Sequence, residues 1–286
     1  MPKLTKRDIL EARQGRYRRR MDLRVTTPEQ AKGFVDDVDF CFLFPIQSVE
    51  MPSLWDAIAG RVVKTYSSHS GYEIERTWGW KDDALNKKWW YYGKLIRHKA
   101  TLASLDFLPN LYALSENYGD YEQDYVEEYR AGRLSAEAKA IYDALLKNGA
   151  LDAVRLRREA HLSSEANKSR FEKALTELQV GLKVLPIGIA EAGAWRYAFI
   201  YELLPRWLPD VPERARSIGR GQARRAIFDQ YLRNVIATTV PSAARVFGWS
   251  LADTRQAAEA LTKEGRLSLD VKVSGIAELQ MVTNVM

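Results

Sequence analysis

One cysteine, three histidines and no long apolar run set the first limits on this 286-residue chain. Cys41 has no second thiol to pair with in the chain, and no Cys/His set stands at metal-ligand spacing. The sequence therefore predicts a reducing compartment, no internal disulfide and no structural zinc. The opening MPKLTKRDILEARQGRYRRRMDLR lacks the apolar core of a signal peptide, and nothing after it approaches the ~18 apolar residues of a membrane span. That pattern predicts a cytoplasmic protein without a membrane partner. Signatures of common catalytic sites are missing as well: there is no Walker loop, no GxGxxG after a strand, no GxSxG and no HExxH. No cofactor or metal is expected. Of the histidines, His161 falls where a helix ends and reads as structural. His98 sits in the basic stretch Lys94–Lys99, either as an ordinary exposed residue or as a phosphate contact, and His69 sits in Ser67–Ser70, which reads as a loop.

A 46% hydrophobic and 28% charged composition argues against long disordered stretches, and the length allows one large domain or two to three small ones. The formal net charge is +6. Residues 1–24 alone hold nine Lys/Arg (Lys3, Lys6, Arg7, Arg13, Arg16, Arg18, Arg19, Arg20 and Arg24) against Asp8, Glu11 and Asp22, an excess equal to that of the whole chain. A local cluster of this kind suits phosphate contacts, with Arg16, Arg18, Arg19 and Arg20 as candidates; a solvated basic helix face or a loosely ordered terminus is the alternative.

An internal repeat decides the expected architecture. Residues 140–180 align without a gap, at an offset of 86, with residues 226–266: Ala140-Ile-Tyr-Asp143 matches Ala226-Ile-Phe-Asp229, and Ala174-Leu-Thr176 matches Ala260-Leu-Thr262. Each copy reads as three short helices. In the first, Ile141, Leu145 and Leu146 mark one helix, Val154 and Leu156 a brief turn, and Phe171, Leu175 and Leu178 the third. In the second the same roles fall to Ile227, Tyr231 and Leu232, then Val240 and Val246, then Ala257 and Leu261. Ser135 with Glu137 signals the start of the first copy, and Ser163 or Ser164 that of its third helix. Gly181 and Gly265 read as helix stops. Alternating strands follow, Leu182–Leu185 and Trp195–Ile200 around a turn at Glu191-Ala-Gly193, and Leu267–Val273.

Three helices closed by a hairpin describe a winged helix, so the fold class expected is mainly α with small β-hairpins, in tandem winged-helix units; an all-helical repeat would lack the alternation. Pro205-Arg-Trp-Leu-Pro209-Asp-Val-Pro212 reads as a linker that no helix crosses. The boundaries expected are 1–130, with a divergent winged helix and the basic segment, then winged helices at 131–208 and 209–286. Within the first, helices are predicted at 5–20, 28–38, 53–60 and 74–88, with a strand near Thr101–Leu105. The aromatic run from Trp78 to Tyr92 reads as a core cluster before it reads as a base-stacking platform.

In a helix-turn-helix unit the last helix enters the major groove while neighbouring residues hold phosphates. In the first copy its groove-facing set is Ser164, Asn167, Lys168, Arg170 and Lys173, with Arg155, Arg157 and Arg158 on the preceding helix in reach of the backbone. The second copy offers only Arg255 and Gln256, opposed by Asp253 and Glu259, and reads as the poorer DNA binder. A structural or protein-binding role is the alternative for both.

Several stretches resemble one family. Gly132-Arg-Leu-Ser135 leading into Ala140-Ile141, then Arg170–Gln179, then Tyr201 to Trp207-Leu-Pro209, and Trp80-Lys-Asp82 to Tyr92-Gly-Lys94, are similar to the winged-helix proteins grouped with AlkZ and YcaQ, over roughly residues 27–273. The resemblance implies three tandem winged helices around a basic DNA channel, and hydrolysis of N-glycosidic bonds of alkylated or crosslinked purines without metal or cofactor. It also implies a glutamine followed two residues on by glutamine or aspartate, positioning the attacking water. The matching stretch here, Val38-Asp-Phe-Cys-Phe-Leu-Phe-Pro-Ile-Gln-Ser48 before Leu54-Trp55, carries phenylalanines there, and a phenyl ring cannot activate water. Gln47, Glu50, Asp37 and Asp39 are the nearby substitutes, without the paired spacing, and each has a cap, turn or surface role as its plainer reading.

The expected function is therefore DNA binding of the AlkZ-related winged-helix type, linked to alkylation-damage repair, by a monomer whose partner is double-stranded DNA, damaged or not. The alternatives are an active glycosylase with a rearranged site, with an aromatic pocket around Phe42, Phe44, Trp55 and Trp80, then a transcription regulator, then a structural module.

Overall fold

A computed structural model describes residues 4–63, 71–115, 117, 119–193 and 195–284. Lys3 and His69 lie outside them. The chain forms two compact units, each discontinuous in sequence. The first comprises Met1–Trp80, Leu102–Ser104 and Arg220–Met286, and the second Lys81–Thr101 and Leu105–Gly219. The elements are mostly helices with small antiparallel sheets.

The chain opens with α1 (Lys6–Arg16), then α2 (Pro28–Val38), β1 (Phe40–Phe42), α3 (Leu54–Ala59), α4 (Tyr72–Leu85), β2 (Tyr91–Gly93) and β3 (Thr101–Ala103). Thr5 starts α1 with a reciprocal cap, its hydroxyl accepting from Asp8 N while Asp8 accepts from Thr5 N. The helix stops at Arg16, four residues before the predicted end, because Arg18 turns into the left-handed region at φ 53°. α2 begins where Thr27 caps and Pro28 fills the first turn, a position that needs no N–H. The aromatic run divides: Trp90 and Tyr91 are buried, whereas Trp78 is exposed on α4.

The second unit continues with α5 (Leu108–Tyr112), α6 (Asp124–Arg130), α7 (Ala136–Asn148), β4 (Leu151–Asp152), α8 (Ala153–Glu159), α9 (Lys168–Val180), β5 (Val184–Ala190), β6 (Ala198–Leu203), α10 (Leu204–Trp207) and α11 (Asp210–Ala215). Its sheet runs β4-β6-β5, all antiparallel, with Leu151 opposite Tyr201 and Val184 opposite Leu203. Ile141, Leu145, Phe171, Leu175 and Leu178 meet Leu156, Val184 and Leu203 in one buried cluster. Of the pair read as a brief turn, Leu156 is buried there and Val154 is half exposed, and the turn is a helix, α8. No helix crosses the stretch from Pro205 to Pro212, although it is not free of helix. Pro205 and Pro212 occupy first turns of two short helices, and the break falls at Leu208–Pro209 between them.

Ser135 caps α7 as predicted, its hydroxyl accepting from Ala138 N at 3.2 Å and donating to Glu177 Oε2 at 2.6 Å. The third helix of this copy starts later than its serines suggest: Ser164 precedes a 3-10 turn, and the α-helix follows from Lys168. Ser135→Ala removes both bonds and leaves Glu177 with only Ser135 N; we expect a loss of about 1–2 kcal/mol, measured by urea unfolding at pH 7.

The chain then returns to the first unit with α12 (Arg220–Val235), β7 (Ala237–Thr238), α13 (Val240–Phe247), α14 (Leu251–Lys263), β8 (Leu267–Val271) and β9 (Gln280–Thr283). The sheet order, β7-β9-β8, repeats that of the second unit. α1 packs here: Ile9 joins Ile236, Ala237, Val273 and Val282 in a buried cluster, and Lys6 N donates to Ser274 O at 2.8 Å. The order helix, strand, helix, helix, strand, strand thus occurs three times along the chain, from α2, from α7 and from α12.

Candidate functional site

In the first unit, β1 delivers the chain into a loop whose neck is tied. Phe42 N donates to Pro52 O at 3.0 Å and Trp55 N to Leu43 O at 3.1 Å, so residues 44–51 project as a closed excursion. A turn with Val49 N on Ile46 O and a left-handed Ser48 (φ 63°) folds its tip. The loop borders a cleft of about 730 Å³ lined by Arg19, Pro45 to Glu50, Trp55, Val62 and Val63. Phe44 packs edge-on against Trp55 at 5.2 Å and against Trp78 at 5.1 Å, so it buttresses the aromatic wall of the cleft. Phe42 is fully buried. Phe42 and Phe44 therefore serve packing, as an apolar side chain in that environment must.

Of the four polar substitutes, the structure brings Gln47 and Glu50 to the cleft and leaves Asp37 and Asp39 out of its lining. Asp37 is paired with Arg18 Nη2 at 2.5 Å, and its carbonyl accepts from Arg16. Asp39 takes φ 60° just beyond the end of α2, and its backbone and carboxylate oxygens accept from Ser104 N and Oγ at 2.8 and 2.9 Å. Both have the turn and cap duties that short acids favour.

Behind Glu50 lies a clamp that the sequence did not disclose. Arg13 Nη1 donates to Glu50 Oε2 at 3.1 Å, while its Nε and Nη2 donate to the carbonyls of Val235 and Ala237 at 2.7 and 2.8 Å. Arg19 Nη1 stands 3.7 Å from Glu50 Oε1, and its Nε and Nη2 donate to Asp56 Oδ2 at 3.0 and 2.7 Å. Asp56 is fully buried and also accepts Val63 N at 2.8 Å. The Arg19 guanidinium lies 4.5 Å from the centre of the Tyr17 ring, whose buried hydroxyl has no hydrogen-bond partner and is pushed well above the usual tyrosine range by burial. Arg16 donates to Asn234 Oδ1 at 3.0 Å, and burial lowers its pKa. Arg13, Arg16 and Arg19 thus fasten α1 and the segment after it to the unit. Among the sequence-derived DNA contacts of this segment, Arg20 is exposed and paired with Asp22, and Arg18 is held by Asp37.

In the second unit, α9 turns Phe171, Leu175 and Leu178 inward and leaves Lys168, Arg170 and Lys173 exposed. Lys168 stands 3.4 Å from Glu165 in an exposed pair of small strength, and exposed Arg170 pairs with partly buried Glu137 and reaches Asn167 Oδ1 at 3.4 Å. Arg155 is exposed, and Arg158 pairs with Glu159. Arg157 is spent on structure: it donates to the carbonyls of Leu162, Ser163 and Ser164 and so staples the turn before α9. In the first unit, Arg255 and Gln256 are exposed on α14, and Asp253 is paired with Arg224 at 2.8 Å. Among the described residues, no group of three or more His, Cys, Asp or Glu could hold a metal ion, and no helix is long and apolar enough to cross a membrane.

No curated protein matches the sequence. Among solved structures, the Streptomyces sahachiroi DNA glycosylase AlkZ is similar in fold, with a TM-score of 0.54 at 14% identity, covering 95% of this chain and 69% of that one. Residues 25–248 match the family described as AlkZ related, a span that takes in the cleft loop, and the chain belongs to that family.

Proposed function

We propose that this protein binds duplex DNA as a tandem winged-helix protein of the AlkZ-related type, acting in the repair of alkylated DNA. The thrice-repeated element order supports three winged helices, one in each of the segments 1–130, 131–208 and 209–286. The observation that carries the reading is α9: in a three-helix unit closed by a hairpin, its outward face holds Lys168, Arg170 and Lys173 opposite a buried apolar face. Asn167, Arg155 and Arg158 flank it as phosphate or base contacts, and Arg18 and Arg20 are the remaining contacts of the basic segment. The partner is double-stranded DNA, and the protein acts as a monomer in the cytoplasm.

Footprinting on mixed-sequence duplexes tests this. Binding spread over sequences supports a lesion-directed protein, whereas protection of one palindromic site would make it a regulator.

A second reading, excision of an alkylated purine, is favoured by the cleft. Its apolar walls of Trp55, Pro45, Ile46, Val62 and Val63 suit a flat heterocycle extruded from the duplex, and Gln47 and Glu50 stand at its edge.

A further inference from the structure

The Glu50 clamp is built from four side chains whose charges cancel, yet it is oriented. The two guanidinium groups are sunk, with Arg13 and Arg19 side chains 17% and 14% exposed, while the Glu50 carboxylate is 39% exposed and lines the cleft. The positive ends are fixed from behind, Arg13 by two backbone carbonyls and Arg19 by buried Asp56. Arg19 borders the cleft too, but its guanidinium is matched by Asp56 at 2.7 Å, so Glu50, the more exposed of the two, presents its charge to the cavity and does not have to reorganise when charge appears there. A surface acid would not be held this way, because exposed pairs give up their geometry to water.

We propose that Glu50 stabilises, by its fixed charge, positive charge developing on the C1′ atom of a nucleotide seated in the cleft; this rests on the excision reading above. The substrate class is a 2′-deoxynucleotide whose purine is alkylated on a ring nitrogen and so carries a positive charge. The C1′–N bond breaks with its electron pair leaving on the base, which departs neutral, and C1′ becomes the cationic centre of an oxocarbenium-like sugar. Water adds to C1′ and its proton passes to solvent, so one proton is released for each base excised. A preorganised carboxylate lowers the energy of that centre without taking part in proton transfer, a role open to Glu and closed to the phenylalanines at 42 and 44. Arg13 and Arg19 are positioning residues that keep the carboxylate aimed.

The test is single-turnover excision by the full chain on a duplex carrying an N7- or N3-alkylpurine, with duplex affinity and melting temperature measured for each variant. Glu50→Gln keeps an acceptor for Arg13 and removes the charge. We expect excision to fall by about 10²–10³-fold, with affinity and melting temperature unchanged. Glu50→Asp, which retains the charge, should keep excision within about tenfold, and it decides the matter if the glutamine variant does not fold; Asp37→Asn should match wild type. Wild-type excision with an undiminished Glu50→Gln rate would overturn the role of Glu50 and leave the excision reading standing. Wild-type duplex binding without excision would overturn both of these and leave DNA binding standing.

Discussion

Asp56→Ala is expected to destabilise the first unit by about 3–5 kcal/mol, the cost of stranding a buried charge. Asp56 is fully buried, and its Oδ2 takes two donors from Arg19, whose side chain is only 14% exposed. Its Oδ1 takes the amide of Val63, and its own amide is held by Ser53 Oγ at the cap of α3. Alanine leaves the Arg19 guanidinium with Glu50 at 3.7 Å and the face of Tyr17, and orphans the Val63 N–H. Domains are stable by only about 5–15 kcal/mol, so the loss consumes much of the margin. Urea unfolding followed by circular dichroism measures it. Asp56→Asn, which still accepts from Val63, separates charge from hydrogen bond and should cost less than alanine. A loss under about 1 kcal/mol for alanine would mean that water solvates Arg19 freely and that the clamp is not rigid.

The second large effect concerns binding. Replacing Lys168, Arg170 and Lys173 together by alanine should weaken duplex affinity and flatten its salt dependence, by about 0.9 in log–log slope for each phosphate contact removed. All three are exposed: Lys168 meets Glu165 in a surface pair that a phosphate can displace, and Arg170 stays open to a phosphate beside partly buried Glu137. Their substitution leaves the Phe171, Leu175 and Leu178 face intact, so melting should not change. An unaltered affinity and slope would remove α9 from the interface. Since Arg13, Arg16 and Arg19 are engaged internally, truncating residues 1–24 is a poor probe of DNA contact: it would remove Ile9 and Tyr17 from the core along with the clamp.

The helical part of this architecture could be read from the chain because its signals are local. Thr27-Pro28 marks the start of α2, Ser135 that of α7, and the 86-residue offset exposes the repeat. What escaped is non-local. β4 and β7 are two residues long and acquire strand geometry only from β6 and β9. β9 is buried along its whole length, so Gln280–Thr283 shows no alternation of polar and apolar residues. α10 and α11 were missed because prolines read as breaks when they sit in first turns.

The candidate site divides the same way. Gln47 and Glu50 could be named as polar residues near a motif stretch, but only the loop after β1 carries them to the cleft, while Asp37 and Asp39 stay at the end of α2 before it. Arg13 and Arg19 were legible only as charge. Arg13's partners Val235 and Ala237 lie more than 200 residues on and Arg19's partner Asp56 lies 37 on, and no pattern distinguishes an arginine that meets a phosphate from one that caps a carbonyl or a buried acid. The one available hint was Ile9, which places a buried face on a helix otherwise rich in charge, with Arg13 one turn later on that face.

Whether the protein holds duplex DNA through its phosphates is settled by titrating the wild type with a duplex oligonucleotide at two salt concentrations, with and without an N-alkylpurine. We expect binding that needs no particular sequence and that weakens on the order of a hundredfold between about 50 and 200 mM salt, as four phosphate contacts would require. Binding that ignores salt, or no binding at the lower concentration, would contradict it.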